Sequence, residues 1–234
     1  MNFFLDTNIL FKDPFLLTNF NRQLLELVRT SKELELPDED TLDEFGLTSD
    51  FVDEEFSIYI SSVVFEEAKN HYFKKVKDRF KQLNEINKDI TWYMNTSEVA
   101  DFSFTEEQCK ERFDQYYNEL INADIVTILP PYNEITQDLI QLAIQKKEPF
   151  FNNEKNEFRD AVIWLTYAKF SEENDLENCF FITDNVNDFS RKSDRGSTPI
   201  PLHPELRNVS DKFIMYRSAQ GLFITGYGAR PPAR

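Results

Sequence analysis

The chain has 234 residues, 41% hydrophobic and 15% aromatic, which is enough for one large or two small domains and excludes an intrinsically disordered protein. It has no apolar stretch of the roughly 20 residues that a membrane span needs, no signal-peptide pattern and no paired-cysteine motif at Cys109 or Cys179, so we expect a cytoplasmic protein. The net charge of −16 argues against a protein that coats nucleic acid, but not against an enzyme that recruits nucleic acid locally.

The N-terminal region begins with a short apolar run, residues 2–5, that predicts a buried strand ending in Asp6. Asp13-Pro14 indicates a helix start, because proline is favoured at the first helical position, and the apolar spacing continues this helix to about residue 31. The segment 33–55 then holds eleven acidic residues and neither Lys nor Arg, so we interpret it as a solvated acidic excursion.

A second strand is predicted over residues 56–61, followed by a helix that Ser61 or Ser62 caps. Glu66 and Glu67 lie in the first turns of this helix, and adjacent helical positions diverge by about 100°, so only one can face the sheet edge. We favour Glu67, which lies about one turn after the apolar start of the helix and directly precedes a small alanine.

The same helix continues into a basic stretch, residues 69–81. Three of its lysines have spacings of three and four, so they share one helical face: Lys74, Lys77 and Lys81. This face is a candidate surface for nucleic acid, and the alternative is a solvated face balanced against the acidic excursion.

The rest of the chain alternates between helical and strand patterns. Residues 84–122 are predicted to be mostly helical, with a capped start at Thr105, and to form an insertion. Strands are predicted over 125–129, 179–183 and 212–216, and helices over 135–146 and 157–170. This alternation predicts an α/β fold of three layers, α/β/α, with a mostly parallel central sheet. We expect one domain over residues 1–225 and a disordered tail over 226–234.

Two predicted strands end in an aspartate, Asp6 and Asp184, at the sheet edge where open α/β folds place their functional crevice. Either residue alone is as well explained by a loop start or a helix cap, but two such strand ends favour a shared site. Asp188 follows Asp184 by four residues, so a helical turn would bring both carboxylates to one face, where they repel without a cation. A solvent-facing acid is the alternative for Asp188.

Asp160 lies on the mainly apolar side of its predicted helix, and a buried carboxylate is costly unless it is paired or bound to metal. An ion pair with Arg159 or with a nearby lysine is the structural alternative. The predicted acidic site consists of Asp6, Glu67, Asp160, Asp184 and Asp188. Oxygen ligands of this kind suit Mg²⁺ or Mn²⁺. The two histidines, His71 and His203, form no zinc-binding pattern, and we expect them at the surface or in structural roles.

Four short motifs around these acids follow one another along the chain. They are Leu5-Asp6-Thr7-Asn8-Ile9-Leu10, Val63-Val64-Phe65-Glu66-Glu67-Ala68, Arg159-Asp160-Ala161-Val162-Ile163-Trp164 and Phe181-Ile182-Thr183-Asp184-Asn185-Val186-Asn187-Asp188-Phe189. The ordered set, which spans residues 1 to about 190, resembles the acidic motifs of PIN-domain nucleases. Residues 146–150 resemble a longer PIN-like branch, and the insertion between 68 and 150 departs from compact members of the family.

The resemblance implies a PIN-like fold and endonucleolytic cleavage of RNA, with Mg²⁺ or Mn²⁺ supported by the acidic residues. Neighbouring side chains are candidates for orienting the ligands or the phosphate, namely Thr7, Asn8, Thr183, Asn185 and Arg159. Lys74, Lys77 and Lys81 are the predicted RNA-binding residues. An antitoxin or defence-system protein, or a second copy of the chain, is a further partner to be considered.

Two alternatives remain open at this point. One is a structure-specific DNA nuclease related to PIN domains, and the other is a PIN-like scaffold that binds a partner without cutting. The presence of all five acids disfavours the scaffold. A phosphatase of the haloacid-dehalogenase type is also disfavoured, because the position two residues after Asp6 holds Asn8 instead of a second acid.

Overall fold

A computed structural model describes residues 1–33, 55–96, 99, 103–145 and 158–224. Nearly all of the acidic excursion 33–55, the segment 146–150 and the tail 226–234 lie outside the described residues. The predictions for those segments, and the division into one domain with an insertion, therefore stay predictions.

Five strands of the described chain form one sheet with the order β3-β2-β1-β4-β5. They are β1 Asn2–Leu5, β2 Ser57–Ser61, β3 Val126–Leu129, β4 Cys179–Ile182 and β5 Phe213–Tyr216. Every neighbouring pair is parallel, and β1 lies in the centre between β2 and β4. Almost all strand residues are buried or half-buried, as expected where helices cover both faces of a sheet.

Helices alternate with these strands. They are α1 Thr7–Lys12, α2 Asn19–Glu33, α3 Ser62–Met94, α4 Glu106–Asn122, α5 Ile135–Gln145, α6 Phe158–Glu173, α7 Val186–Phe189, α8 Pro204–Arg207 and α9 Ala219–Ile224. The predicted α/β fold is thus confirmed, with a central sheet that is parallel throughout. Within the described ranges, none of the helices combines the length and apolar character required to cross a membrane.

The connection between β1 and α2 differs from the prediction. Asp13 does not start a helix; it follows the last residue of α1, and α2 begins only at Asn19. The buried Asp13 carboxylate accepts hydrogen bonds from the backbone N–H groups of Leu17 and Thr18 at 2.9 and 2.8 Å and from the Asn21 amide at 3.0 Å. These contacts favour a turn over residues 13–18 because together they satisfy more polar groups than a single helix cap does.

The two long helices begin as predicted. The Ser61 hydroxyl accepts a hydrogen bond from the backbone N–H of Val63 at 3.3 Å and so caps α3. A capping box between Thr105 and Gln108 precedes α4. The α3 helix extends without interruption to Met94 and so includes the first residues of the segment 84–122 that was predicted to be mostly helical.

The position of α6 fixes one side of the candidate site. Residues 161–168 of this helix are all buried, which is more than the single apolar face that the sequence indicated. The Trp164 ring packs against Phe181 of β4 and Phe213 of β5, with ring centroids 6.0 and 5.1 Å apart. A helix packed this deeply against the sheet places Asp160, near its first residue, beside the ends of the central strands.

Candidate active site

The carboxyl ends of β1 and β4 mark the point where the strand order reverses. From β1 the chain proceeds to β2 on one side of the sheet, and β4 later pairs with the other side. Open α/β sheets bind ligands in the crevice outside such a switch point. Leu5 and Ile182 are register partners, so the residues that follow them, Asp6 and Thr183, emerge side by side.

Asp6 presents a buried carboxylate, only 1% exposed, at this crevice. Its Oδ2 atom accepts hydrogen bonds from the Thr183 hydroxyl at 2.7 Å and from the Asn8 amide at 3.1 Å. Burial raises the pKa of Asp6 above its usual value, the two hydrogen bonds oppose that rise, and the charge of Glu67 adds to it. Two of the residues predicted to orient the site therefore hold this carboxylate directly.

Asp160 faces the same group of charges from α6. Burial, followed by the negative charges of Asp6 and Asp188, raises the pKa of Asp160 to about 7. The Arg159 charge acts in the opposite direction, but its guanidinium forms an ion pair with Glu67. Arg159 thus pairs with Glu67. The alternative considered from the sequence was an ion pair between Arg159 and Asp160.

Glu67, and not Glu66, turns towards the crevice. Glu66 is exposed, whereas the Glu67 side chain is only 20% exposed. The Glu67 Oε2 atom accepts a hydrogen bond from the Thr7 hydroxyl at 3.1 Å, and Oε1 pairs with Arg159. The structure therefore places the glutamate that we chose from the helical register beside Asp6 and Asp160.

Asp188 joins the group from α7. The Asn185 amide donates a hydrogen bond of 2.5 Å to the Asp188 carboxylate, and the charge of Asp188 acts on Asp160. Four carboxylates from four segments of the chain thus influence one another at the switch point. We call them the acidic cluster: Asp6, Glu67, Asp160 and Asp188.

Asp184 has a different environment. Its carboxylate forms ion pairs with Lys12 of α1 and with Arg217, which follows β5, the latter at 3.5 Å. The hydrogen bond from Lys12 and the two positive charges lower the pKa of Asp184. The predicted fifth acidic ligand is therefore engaged by two cations, and the structure does not place it within the acidic cluster.

The donor set of the acidic cluster fits a divalent cation. All donors are carboxylate oxygens, and a cation among them would relieve the burial and repulsion that raise the pKa values of Asp6 and Asp160. As arranged, no three Asp, Glu, His or Cys residues of the described ranges converge closely enough to hold a metal ion. Glu67 pairs with Arg159 and Thr7, and Asn185 holds Asp188.

The histidines take structural roles outside this site. The His71 ring stacks on Phe11, with ring centroids 4.1 Å apart. His203 Nδ1 accepts a hydrogen bond from the backbone N–H of Glu205 at 3.4 Å and caps α8. Neither contact suggests a zinc ligand.

The role of Tyr167 was not predicted from the sequence. Its buried hydroxyl donates a hydrogen bond of 2.6 Å to the carbonyl of Leu5 and accepts one of 2.9 Å from the backbone N–H of Ser61. One side chain of α6 therefore ties together the carboxyl ends of β1 and β2. The available signal was a tyrosine seven residues after Asp160, on nearly the same helical face, which is also a common pattern for core packing.

Comparison with known protein families identifies the family to which this chain belongs. A family model described as PIN domain matches residues 3–189, which include the whole acidic cluster. The chain belongs to the PIN-domain family. Comparisons with curated proteins and with solved structures gave no match. PIN domains are generally nucleases and typically use divalent metal ions, so this PIN domain is assigned a nuclease-type function in general.

Proposed function

We propose that this PIN domain is a metal-dependent endoribonuclease that cleaves RNA phosphodiester bonds at the acidic cluster. The observation that carries the proposal is that the charges of Asp6, Glu67, Asp160 and Asp188 act on one another at the switch point of the sheet. One buried and three half-buried like charges destabilise a fold unless something compensates them, so their concentration in one crevice supports a site built for a cation.

The residues around the acids hold them in place. Mg²⁺ or Mn²⁺, when bound, supplies an activated water and a positive charge for the leaving oxygen of an in-line displacement. Thr183 and Asn8 restrict the orientation of Asp6, and Asn185 restricts that of Asp188. Arg159 is 65% exposed beside Glu67, so its guanidinium can also reach a phosphate oxygen at the mouth of the crevice.

The basic face of α3 offers a path for RNA away from the cluster. A step of seven residues returns a helix to within about 20° of the same face. Lys74 and Lys81 follow Glu67 by seven and fourteen residues, so they lie on its side of the helix, about 10 and about 21 Å further along the axis. Both are exposed, as is Lys77. A phosphate backbone leaving the cluster along α3 meets three cations in succession.

A cleavage assay tests the proposal. A labelled RNA strand and the DNA strand of the same sequence are incubated with the protein and Mg²⁺ or Mn²⁺, with and without EDTA. We expect internal cuts in RNA only with metal, and no cuts by Asp6→Asn. Asp211→Asn is the matched control, because Asp211 is exposed and precedes β5, at the opposite edge of the sheet.

Two other outcomes of this assay would support the alternative functions, a DNA nuclease or a scaffold that does not cut. Cleavage of DNA in place of RNA would contradict the ribonuclease proposal and support a DNA nuclease. Failure to cut either strand with metal would leave a PIN-like scaffold that binds a partner.

A further inference from the structure

A cavity of about 710 Å³ lies beside the acidic cluster, at the carboxyl ends of β1, β4 and β5. Three of its lining residues carry the argument: Lys12 from α1, Asp184 after β4 and Arg217 after β5. Because α1 starts directly after Asp6, this cavity and the acidic cluster share the same edge of the sheet. We call it the Lys12–Arg217 cavity.

The accessible charge of this cavity is positive. Lys12 is 67% exposed and Arg217 is 50% exposed, and both pair with the single carboxylate of Asp184. The other lining acid, Asp13, is only 6% exposed, and the loop that follows it satisfies its carboxylate through Leu17, Thr18 and Asn21. Two exposed cations therefore face one half-buried carboxylate in a chain whose net charge is −16.

This arrangement suits an anion rather than a metal ion. Two cations beside Asp184 repel a divalent cation, whereas the carboxylate already occupies the kind of position that an anionic oxygen takes between Lys and Arg. Carboxylate and phosphate present similar oxygens to these side chains. Asp184 therefore marks where a phosphate oxygen would bind once the carboxylate turns aside.

The basic lining continues beyond the cavity. Arg217 also lines an adjacent cavity of about 500 Å³ together with Arg195, Ser197 and Thr198, and it donates a hydrogen bond of 3.3 Å to the Arg195 carbonyl. From β1 to β5 the sheet advances two strands, roughly 10 Å at about 4.8 Å per strand. If the scissile phosphate of an extended RNA strand lies at the acidic cluster, the neighbouring phosphates of that RNA are therefore within reach of Lys12 and Arg217.

We propose that the Lys12–Arg217 cavity binds a phosphodiester group of the substrate strand next to the cleaved bond, and that Asp184 occupies this position when no strand is bound. The inference rests on the proposed function, because it names where the same RNA strand continues. It assigns Asp184 the role of a competing anion in place of the predicted metal ligand.

Binding measured without metal tests this assignment separately from catalysis. The anisotropy of a labelled single-stranded RNA is titrated with protein in EDTA at several salt concentrations. Lys12→Gln and Arg217→Gln should weaken binding several-fold, and each should lower the slope of log affinity against log salt by about 0.7, the value for one lost phosphate contact. Asp184→Asn should tighten binding several-fold, because it removes the competing carboxylate. The control is Arg207→Gln, an exposed arginine outside both cavities.

Failure of the cavity assignment and failure of the proposed function would give different results. If Lys12→Gln and Arg217→Gln bind RNA with the affinity and salt slope of the parent protein, the cavity does not hold the strand, even where the parent protein cleaves RNA. If the parent protein fails to cleave RNA with Mg²⁺ or Mn²⁺, the proposed function fails instead. Competition by inorganic phosphate or a mononucleotide at the concentrations at which unlabelled RNA competes would identify a site for a free phosphate, and would contradict the strand assignment.

Discussion

Thr183, directly after β4, donates a hydrogen bond of 2.7 Å to the buried carboxylate of Asp6, directly after β1. The same Thr183 oxygen accepts a hydrogen bond of 3.0 Å from the backbone N–H of Asn185. Asn185 in turn holds Asp188 through its side-chain amide. A single hydroxyl therefore connects the residue after the central strand to the start of α7, which presents another member of the acidic cluster.

Removing this hydroxyl tests its positioning role. Thr183→Val should lower RNA cleavage by about 10- to 100-fold, the usual effect of losing a residue that orients a metal ligand. It should also lower the free energy of unfolding by about 1–3 kcal/mol, because a buried carboxylate and a backbone N–H lose a partner. Cleavage rates and urea denaturation measure the two effects. Thr183→Ser keeps the hydroxyl and should remain close to the parent; equal activity of Thr183→Val and the parent would reject the positioning role.

The raised pKa of Asp160 predicts a pH-dependent stability in the absence of metal. Its pKa of about 7 in the folded protein lies above the unfolded value of about 3.9. The folded state therefore has its full stability from this group below about pH 4 and loses it as the pH rises through 7. Asp160→Asn should raise the free energy of unfolding by about 1–3 kcal/mol at pH 8 and much less at pH 5.

Urea denaturation in EDTA at the two pH values measures this difference, with Asp211→Asn as the control. A gain for Asp160→Asn that is the same at pH 5 and pH 8 would show that Asp160 does not titrate near neutral pH. The raised pKa of Asp160 would then be rejected, although the position of Asp160 near the start of α6 would stand.

Glu66 and Glu67 form a matched pair for testing the helical register. Glu67→Gln should reduce cleavage by about 100-fold or more, because Glu67 contributes one of the four charges of the acidic cluster. Glu66→Gln should change cleavage little, because Glu66 is exposed. The cleavage rate with excess Mn²⁺ separates the two variants. The opposite ranking would show that Glu66 is the active glutamate and that we chose the wrong face of α3.

The basic face of α3 has its own matched control. Lys77→Gln should weaken RNA binding, and the variant with Lys74, Lys77 and Lys81 all changed to Ala should lower the salt slope by about 2, at about 0.7 for each lost contact. Arg79→Gln removes an exposed cation that lies about 160° around the helix from Lys77, at about 100° per residue, and should have little effect. Unchanged affinity and slope in the triple variant would show that RNA follows another surface.

The strand ends and all four members of the acidic cluster could be predicted because the evidence for them is local. An apolar run that stops at an aspartate marks a buried parallel strand and its functional end, as at Asp6. Its partner Thr183 lies directly after another such strand, so a parallel sheet brings the two together. The register of Glu67 likewise followed from its position within one helix.

The remaining features depend on contacts between distant segments. Asp184 shares the local pattern of Asp6, but it pairs with Lys12, which lies 172 residues away in sequence. Asp13 precedes a proline as a helix start does, yet its burial and its contacts with residues 17–21 favour a turn. Tyr167 links two strands from a third element, and no periodicity within one segment reveals such a link.

The proposed function requires the acidic cluster to hold the metal with which RNA is cleaved. The most direct test measures the rate of RNA cleavage as a function of Mn²⁺ concentration for the parent protein, Asp160→Asn and Asp211→Asn. We expect a saturable rise in rate for the parent and for Asp211→Asn, and no rise for Asp160→Asn. Cleavage by the parent that persists undiminished in EDTA, or cleavage by Asp160→Asn at the parental rate and with the same metal dependence, would contradict the claim.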